Sequence, residues 1–151
     1  MENSGWKVIF DKEGTTSDTV YTQKMTIVDS KGEVIGTYKG SSTPNPYKPS
    51  DASLKGFDAY PYVKGGGGAY LLTYGTHKGI PALVVNNNKF VPTQNENPNF
   101  PEYGKRANYI HVHWGYKTTW KGSAGCPTIH PGQWKEFLSK VPSGLGMLVI
   151  P

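Results

Sequence analysis

Cys126 is the single cysteine of the chain, and three of its four histidines, His111, His113 and His130, lie within 15 residues of it. A thiol beside imidazoles suits two kinds of chemistry. A thiolate is a strong nucleophile, but an ordinary thiol is mostly protonated at neutral pH and needs a neighbouring base. Thiolate and imidazole are also ligands that zinc accepts. His111-x-His113 and Cys126-x-x-x-His130 therefore form an alternative zinc set. Gly125, just before Cys126, favours the nucleophile, because it leaves room for close substrate approach and for a tight turn whose N–H groups hold an oxyanion.

Placing these groups falls to a strand, a loop and a helix. On a strand, residues two apart share a face. A strand over Tyr109–Gly115 is expected to turn Ile110, Val112 and Trp114 into the core and His111 and His113 onto a polar face. After Cys126, His130-Pro131 reads as a helix start. Trp134, Phe137, Leu138 and Val141 then give one apolar stripe, which Pro142 ends. The start of that helix is expected to favour the Cys126 thiolate.

Upstream, strands are expected over Trp6–Phe10, Val20–Asp29 and Glu33–Tyr38, the last two forming a hairpin around Ser30-Lys31-Gly32. Further strands are expected over Tyr70–Tyr74, Ile80–Val85 and Met147–Ile150. A turn over Gly75–Gly79 carries His77. The segments 40–61 and 86–106 read as long loops, the second a candidate wall or lid beside the His-bearing strand. The glycine run at 65–68 is followed by neither Lys-Ser nor Lys-Thr and by no helix pattern, so it reads as a turn into a strand rather than a phosphate loop.

Composition agrees with a mainly β chain. There are 19 Gly, 12 Pro and 10 Tyr in 151 residues, a mixture that favours short strands and many turns. The length fits one domain, 1–151. The net charge of +5 comes from scattered Lys and Arg, which gives no basis for a nucleic-acid partner. One cysteine excludes an intramolecular disulfide. No run is long enough for membrane insertion, and the N-terminal residues do not read as a signal peptide.

His113-Trp114-Gly115 followed by Ser123-Ala124-Gly125-Cys126 resembles the signature of L,D-transpeptidase (YkuD-type) catalytic domains, a strand-borne His-x-Gly and then Ser/Thr-x-Gly-Cys. The tail VPSGLGMLVIP is similar to the family's last strand. The upstream hairpin, the SSTPNP segment and Gly68-Ala69-Tyr70 resemble its opening elements. Two positions differ from the family pattern: Ala124 stands where His is frequent, and Thr128 where Arg is common.

The resemblance implies a mixed β-sandwich with one amphipathic helix after the cysteine loop. It also implies acyl transfer on peptidoglycan stem peptides, with no cofactor. Cys126 would attack the carbonyl of an L-to-D bond and form a thioester, which an amine or water would resolve by transpeptidation or hydrolysis. His113 would be general base and then acid, oriented by a backbone carbonyl. Ser123 would shape the loop, and N–H groups around Gly125 and Cys126 would form the oxyanion hole. His111, Trp114, Gly115, Tyr116, Trp120 and His77 are the expected substrate-facing residues. A monomer in the bacterial cell envelope or periplasm is the corresponding expectation. A non-catalytic cell-wall-binding module is the alternative from outside enzymology.

Overall fold

The computed structural model describes residues 5–43, 62–66, 68–94, 106–119, 121 and 126–151. Within them the chain is mainly β. Its strands are β1 (Trp6–Phe10), β2 (Gln23–Val28), β3 (Val34–Ser41), β4 (Tyr62–Val63), β5 (Ala69–His77), β6 (Ile80–Val85), β7 (Val91–Gln94), β8 (Arg106–Ala107), β9 (His111–Trp114), β10 (Thr128–Ile129) and β11 (Gly146–Val149). The helix is α1 (Trp134–Lys140).

Eight strands hydrogen-bond in the order β1-β11-β5-β6-β9-β10-β3-β2 and close into a ring, while β4, β7 and β8 form a small separate sheet. Pairing in the ring is mixed, as expected. β1/β11 and β9/β10 are parallel, and the other contacts are antiparallel. Hydrogen bonding is continuous around the eight strands.

Alternation of apolar and polar residues sets which side chains point inward. On β1, Trp6, Val8 and Phe10 are buried, and on β2, Met25 and Ile27. Leu72, Leu83, Val85, Val112, Ile129 and Leu148 complete the interior, with Phe137 added from α1. The β2–β3 turn is locked by Asp29, whose Oδ1 accepts from the N–H groups of Lys31 and Glu33, both at 2.9 Å.

Three local expectations are corrected. β5 runs through Gly75 to His77, because the turn to β6 needs only Lys78 and Gly79. Both have positive φ (53° and 78°), the geometry of the two-residue turn that matches strand twist. Gly75 remains in the strand, because a Cβ there would lie 2.4 Å from Val84 Cγ2. The segment 86–106 is not all loop, since it contains a turn at Asn86–Asn88, then β7 and the start of β8.

The helix begins at Trp134, not at His130-Pro131. His130 is still strand-paired, its N–H donating to Lys39 O at 2.8 Å, and Gln133 is the N-cap. The Gln133 side chain accepts from the Lys39 N–H at 2.7 Å and ties the helix start to β3. The stripe itself holds. Phe137 and Val141 are buried, and Trp134 and Leu138 pack against the same core.

Candidate functional site

The Cys/His site is built where β9 meets β10. These strands run parallel, with Thr128 opposite His113 and Ile129 opposite Trp114. The N–H groups of β9 reach across in sequence. Gly115 donates to Ile129 O at 2.7 Å and His113 to Pro127 O at 3.1 Å. One step further, the His111 N–H points at Cys126 Sγ, 3.4 Å away. The thiol thus stands in line with the ladder's carbonyl acceptors. Cys126 precedes β10, whose Thr128 stands opposite His113, so the thiol lies at the end of this pairing, beside His111.

The tautomer of His113 is set by its own backbone. Its Nδ1 lies 2.6 Å from Trp114 O. A carbonyl only accepts, so Nδ1 carries the proton and Nε2 keeps a lone pair. Burial holds the His113 pKa down to about 4, against the Trp114 hydrogen bond, and His77, His111 and Lys78 push it the same way. Burial likewise raises the Cys126 thiol above its ordinary value, against the His111 N–H. At neutral pH the pair is therefore a neutral thiol and a neutral imidazole, not a preformed ion pair. Nucleophilic attack then requires the proton to leave sulfur for Nε2 as the new bond forms.

The side of β9 that carries the histidines is not an open polar surface. His113 is 1% exposed. His77, at the tip of β5, covers it, the two rings stacked with centroids 4.1 Å apart and planes 6° apart. The Nδ1 atoms of His77 and His111 are 3.0 Å apart. Val112 and Ile110 enter the core as expected, but Trp114 does not follow them. It is half-buried, with its ring near His77 (5.6 Å), Trp134 (6.0 Å) and Tyr116 (6.4 Å). Lys78 Nζ sits 5.0 Å from the centre of the Tyr116 ring, within cation–π range. His77, Trp114 and Tyr116 therefore make a continuous aromatic wall beside His113.

Gly115 packs against Tyr21. It is buried, and a Cβ at this position would lie 1.8 Å from the Tyr21 hydroxyl. That hydroxyl donates to Lys117 O at 2.7 Å, and the Tyr21 ring is fully buried. Gly115→Ala is expected to lower stability by at least about 3 kcal/mol, the scale of severe overpacking. Urea denaturation at neutral pH measures it, and a change under 1 kcal/mol would remove the close-approach explanation. Ser123, Gly125 and Trp120 lie outside the described residues.

Other expectations change with the geometry. α1 starts at Trp134, not directly after Cys126, so the cysteine is not in the turn that leads into the helix. His130 turns to another part of the molecule. Its Nδ1 accepts from the Gly132 N–H at 3.0 Å, its Nε2 is 3.9 Å from Asp18 Oδ2, and its ring packs on Tyr21. The zinc set of His111, His113, Cys126 and His130 is not assembled. Among the described residues no group of three or more His, Cys, Asp or Glu is placed to hold a metal ion. Thr128 is fully buried between Ser41 and His113, within the sheet rather than on a substrate-facing surface.

One residue at the site, and one buried lysine near Cys126 in sequence, carried no recognised signal in the sequence. Asn88 Oδ1 lies 2.8 Å from His111 Nε2. It belongs to a left-handed turn in which Asn86, Asn87 and Asn88 have φ of 52°, 54° and 63°. Three consecutive Asn after a strand were the available clue, since Asn tolerates this conformation better than other side chains. Lys121, five residues before Cys126, is 7% exposed, and its Nζ donates to Thr43 Oγ1 at 3.0 Å and to Thr43 O at 3.3 Å. Among scattered lysines nothing marked it as buried.

No family model, curated protein or solved structure matches this chain.

Proposed function

We propose that this chain is an L,D-transpeptidase-like cysteine acyltransferase that acts on peptidoglycan stem peptides. One observation carries the reading: His113 has its Nδ1 committed to Trp114 O, while Cys126 Sγ takes the next acceptor place along the same strand pairing. This supports reading Cys126 as a nucleophile beside β9 and His113 as a base whose Nε2 is left for the proton, oriented by backbone rather than by a carboxylate. The resemblance of His-Trp-Gly and Ser-Ala-Gly-Cys to the family signature supplies the substrate class. The family's mixed β-sandwich, with its helix after the cysteine loop, belongs to the same proposal, as does the cell envelope or periplasm as the site of action.

In the first step the thiol proton passes to His113 Nε2 as sulfur adds to the carbonyl of an L-to-D peptide bond. The C–N bond breaks, the proton passes from His113 to the departing D-residue amine, and a thioester remains on Cys126. An amine of a second stem peptide completes a cross-link, and water completes hydrolysis. His77, Trp114 and Tyr116 line the approach as an aromatic wall.

Incubation with purified muropeptides followed by mass spectrometry tests the reading. Loss of a terminal D-residue, a cross-linked dimer or a cut cross-bridge is expected, with none formed by Cys126→Ala. Unaltered muropeptides across tetrapeptide, pentapeptide and cross-linked substrates would refute it.

A further inference from the structure

Asn88, His111 and His77 take no proton in the acyl-transfer steps, yet they form a chain of contacts that ends on the base, His113. Asn88 Oδ1 meets His111 Nε2 at 2.8 Å, His111 Nδ1 meets His77 Nδ1 at 3.0 Å, and His77 lies flat on His113. The proton positions follow in order. An amide oxygen only accepts, so His111 carries its proton on Nε2. A neutral His111 then offers a lone pair at Nδ1, and His77 must donate from its own Nδ1. Each ring has one tautomer compatible with its neighbour.

Backbone conformation explains why an amide is available there. At φ 63°, position 88 favours Gly or Asn, and Asn is the choice that brings a side-chain acceptor. The turn is anchored beside β9, with the Tyr109 N–H donating to Asn88 O at 3.3 Å and the Lys89 N–H to Asn86 O at 2.9 Å.

We propose that Asn88, His111 and His77 form a fixed-tautomer relay that clamps the His77 ring flat over His113, making Asn88 and His77 positioning residues for the base. The groups that face His113 are His77, His111, Lys78 and Tyr116. With the relay closed, His77 and His111 satisfy each other as neutral rings and add no positive charge beside the base. The His77 face keeps water from His113 between turnovers. When His113 takes the thiol proton, the resulting cation lies against the π face of a neutral ring, a favourable contact. The catalytic meaning of the relay rests on the proposed acyl transfer, but its proton positions do not.

The experiment is nitrogen-15 NMR of the four imidazoles in the full chain, with wild type compared to Asn88→Gly and Asn88→Asp. Gly adopts φ 63° without strain, so Asn88→Gly removes the acceptor and keeps the turn. Wild type is expected to carry protons on Nε2 of His111 and on Nδ1 of His77 and His113. In Asn88→Gly, His111 and His77 are expected to average between tautomers, and the His113 titration midpoint to rise by about one pH unit as its cover loosens. Asn88→Asp restores an acceptor and is expected to restore the wild-type tautomers at pH 8. On muropeptides, Asn88→Gly is expected to lower kcat about 10-fold with little change in KM, as lost orientation of a base would. A wild-type His111 protonated on Nδ1 overturns the relay, and so does an Asn88→Gly protein with unchanged tautomers and an unchanged His113 midpoint. Wild-type tautomers as stated, in a protein that leaves every muropeptide intact, would uphold the relay and refute acyl transfer.

Discussion

Cys126→Ala is expected to reduce acyl transfer on stem peptides by at least about 10⁴-fold in kcat, the scale seen when the nucleophile of such a site is removed. Cost to the fold should be small by comparison. The thiol is half-buried, and its removal leaves the His111 N–H without its sulfur acceptor, a loss of about 1 kcal/mol. Thermal unfolding should therefore shift by only a few degrees. Turnover assays with unfolding curves on the same samples separate the two effects. A Cys126→Ala protein that unfolds like wild type and turns over at a comparable rate would remove the thioester from the mechanism.

His113→Gln carries the second large effect, and it has two parts. Gln can still donate to Trp114 O but cannot take the thiol proton, so kcat is expected to fall about 10²- to 10⁴-fold, the usual range for a general base. The other part concerns stability. His113 titrates near 4 in the folded chain against an ordinary value of 6.5, chiefly because burial disfavours its charged form. Between those values the unfolded chain binds the extra proton, so stability is full above about pH 6.5 and falls as the pH drops. By pH 4 the loss is about 3 kcal/mol. Cys126 acts at the other end. Its thiol is raised, so the unfolded chain ionises first and stability declines as the pH climbs past the ordinary thiol value. Urea midpoints from pH 4 to 10 should show a plateau at neutral pH with a shoulder falling on the acid side. In His113→Gln the acid shoulder should flatten, and an unchanged shoulder would place the effect on other groups.

Much of this layout was visible in the residues because it is local. Trp6–Phe10 and Ile80–Val85 were bounded correctly by apolar runs and their flanking turn residues. Met25 and Ile27 alternate inward as their spacing required, and Phe137 and Val141 anchor the helix stripe. What was hidden depends on contacts far apart in the chain. His77 is separated from His113 by 36 residues. Only the tight Lys78-Gly79 turn and the pairing of β5 with β6 and β6 with β9 bring it over the base. The left-handed Asn86–Asn88 turn has no periodicity to detect, so it read as loop. Trp114 obeyed strand alternation on paper, but the real neighbours of its ring are Trp134 from α1 and Tyr116 beyond the strand. Pro131 suggested a helix start because it fits a first turn, whereas the pairing of His130 with Lys39 delays the helix to Trp134.

The central claim is a thioester on Cys126, and intact-protein mass spectrometry after brief incubation with a purified tetrapeptide muropeptide and an acid quench tests it most directly. Wild type is expected to gain the mass of the muropeptide less its terminal D-residue, on Cys126, in a form that hydroxylamine releases and Cys126→Ala never shows. A protein that processes the muropeptide with no adduct at any quench time, or that forms the adduct on a residue other than Cys126, would contradict the account.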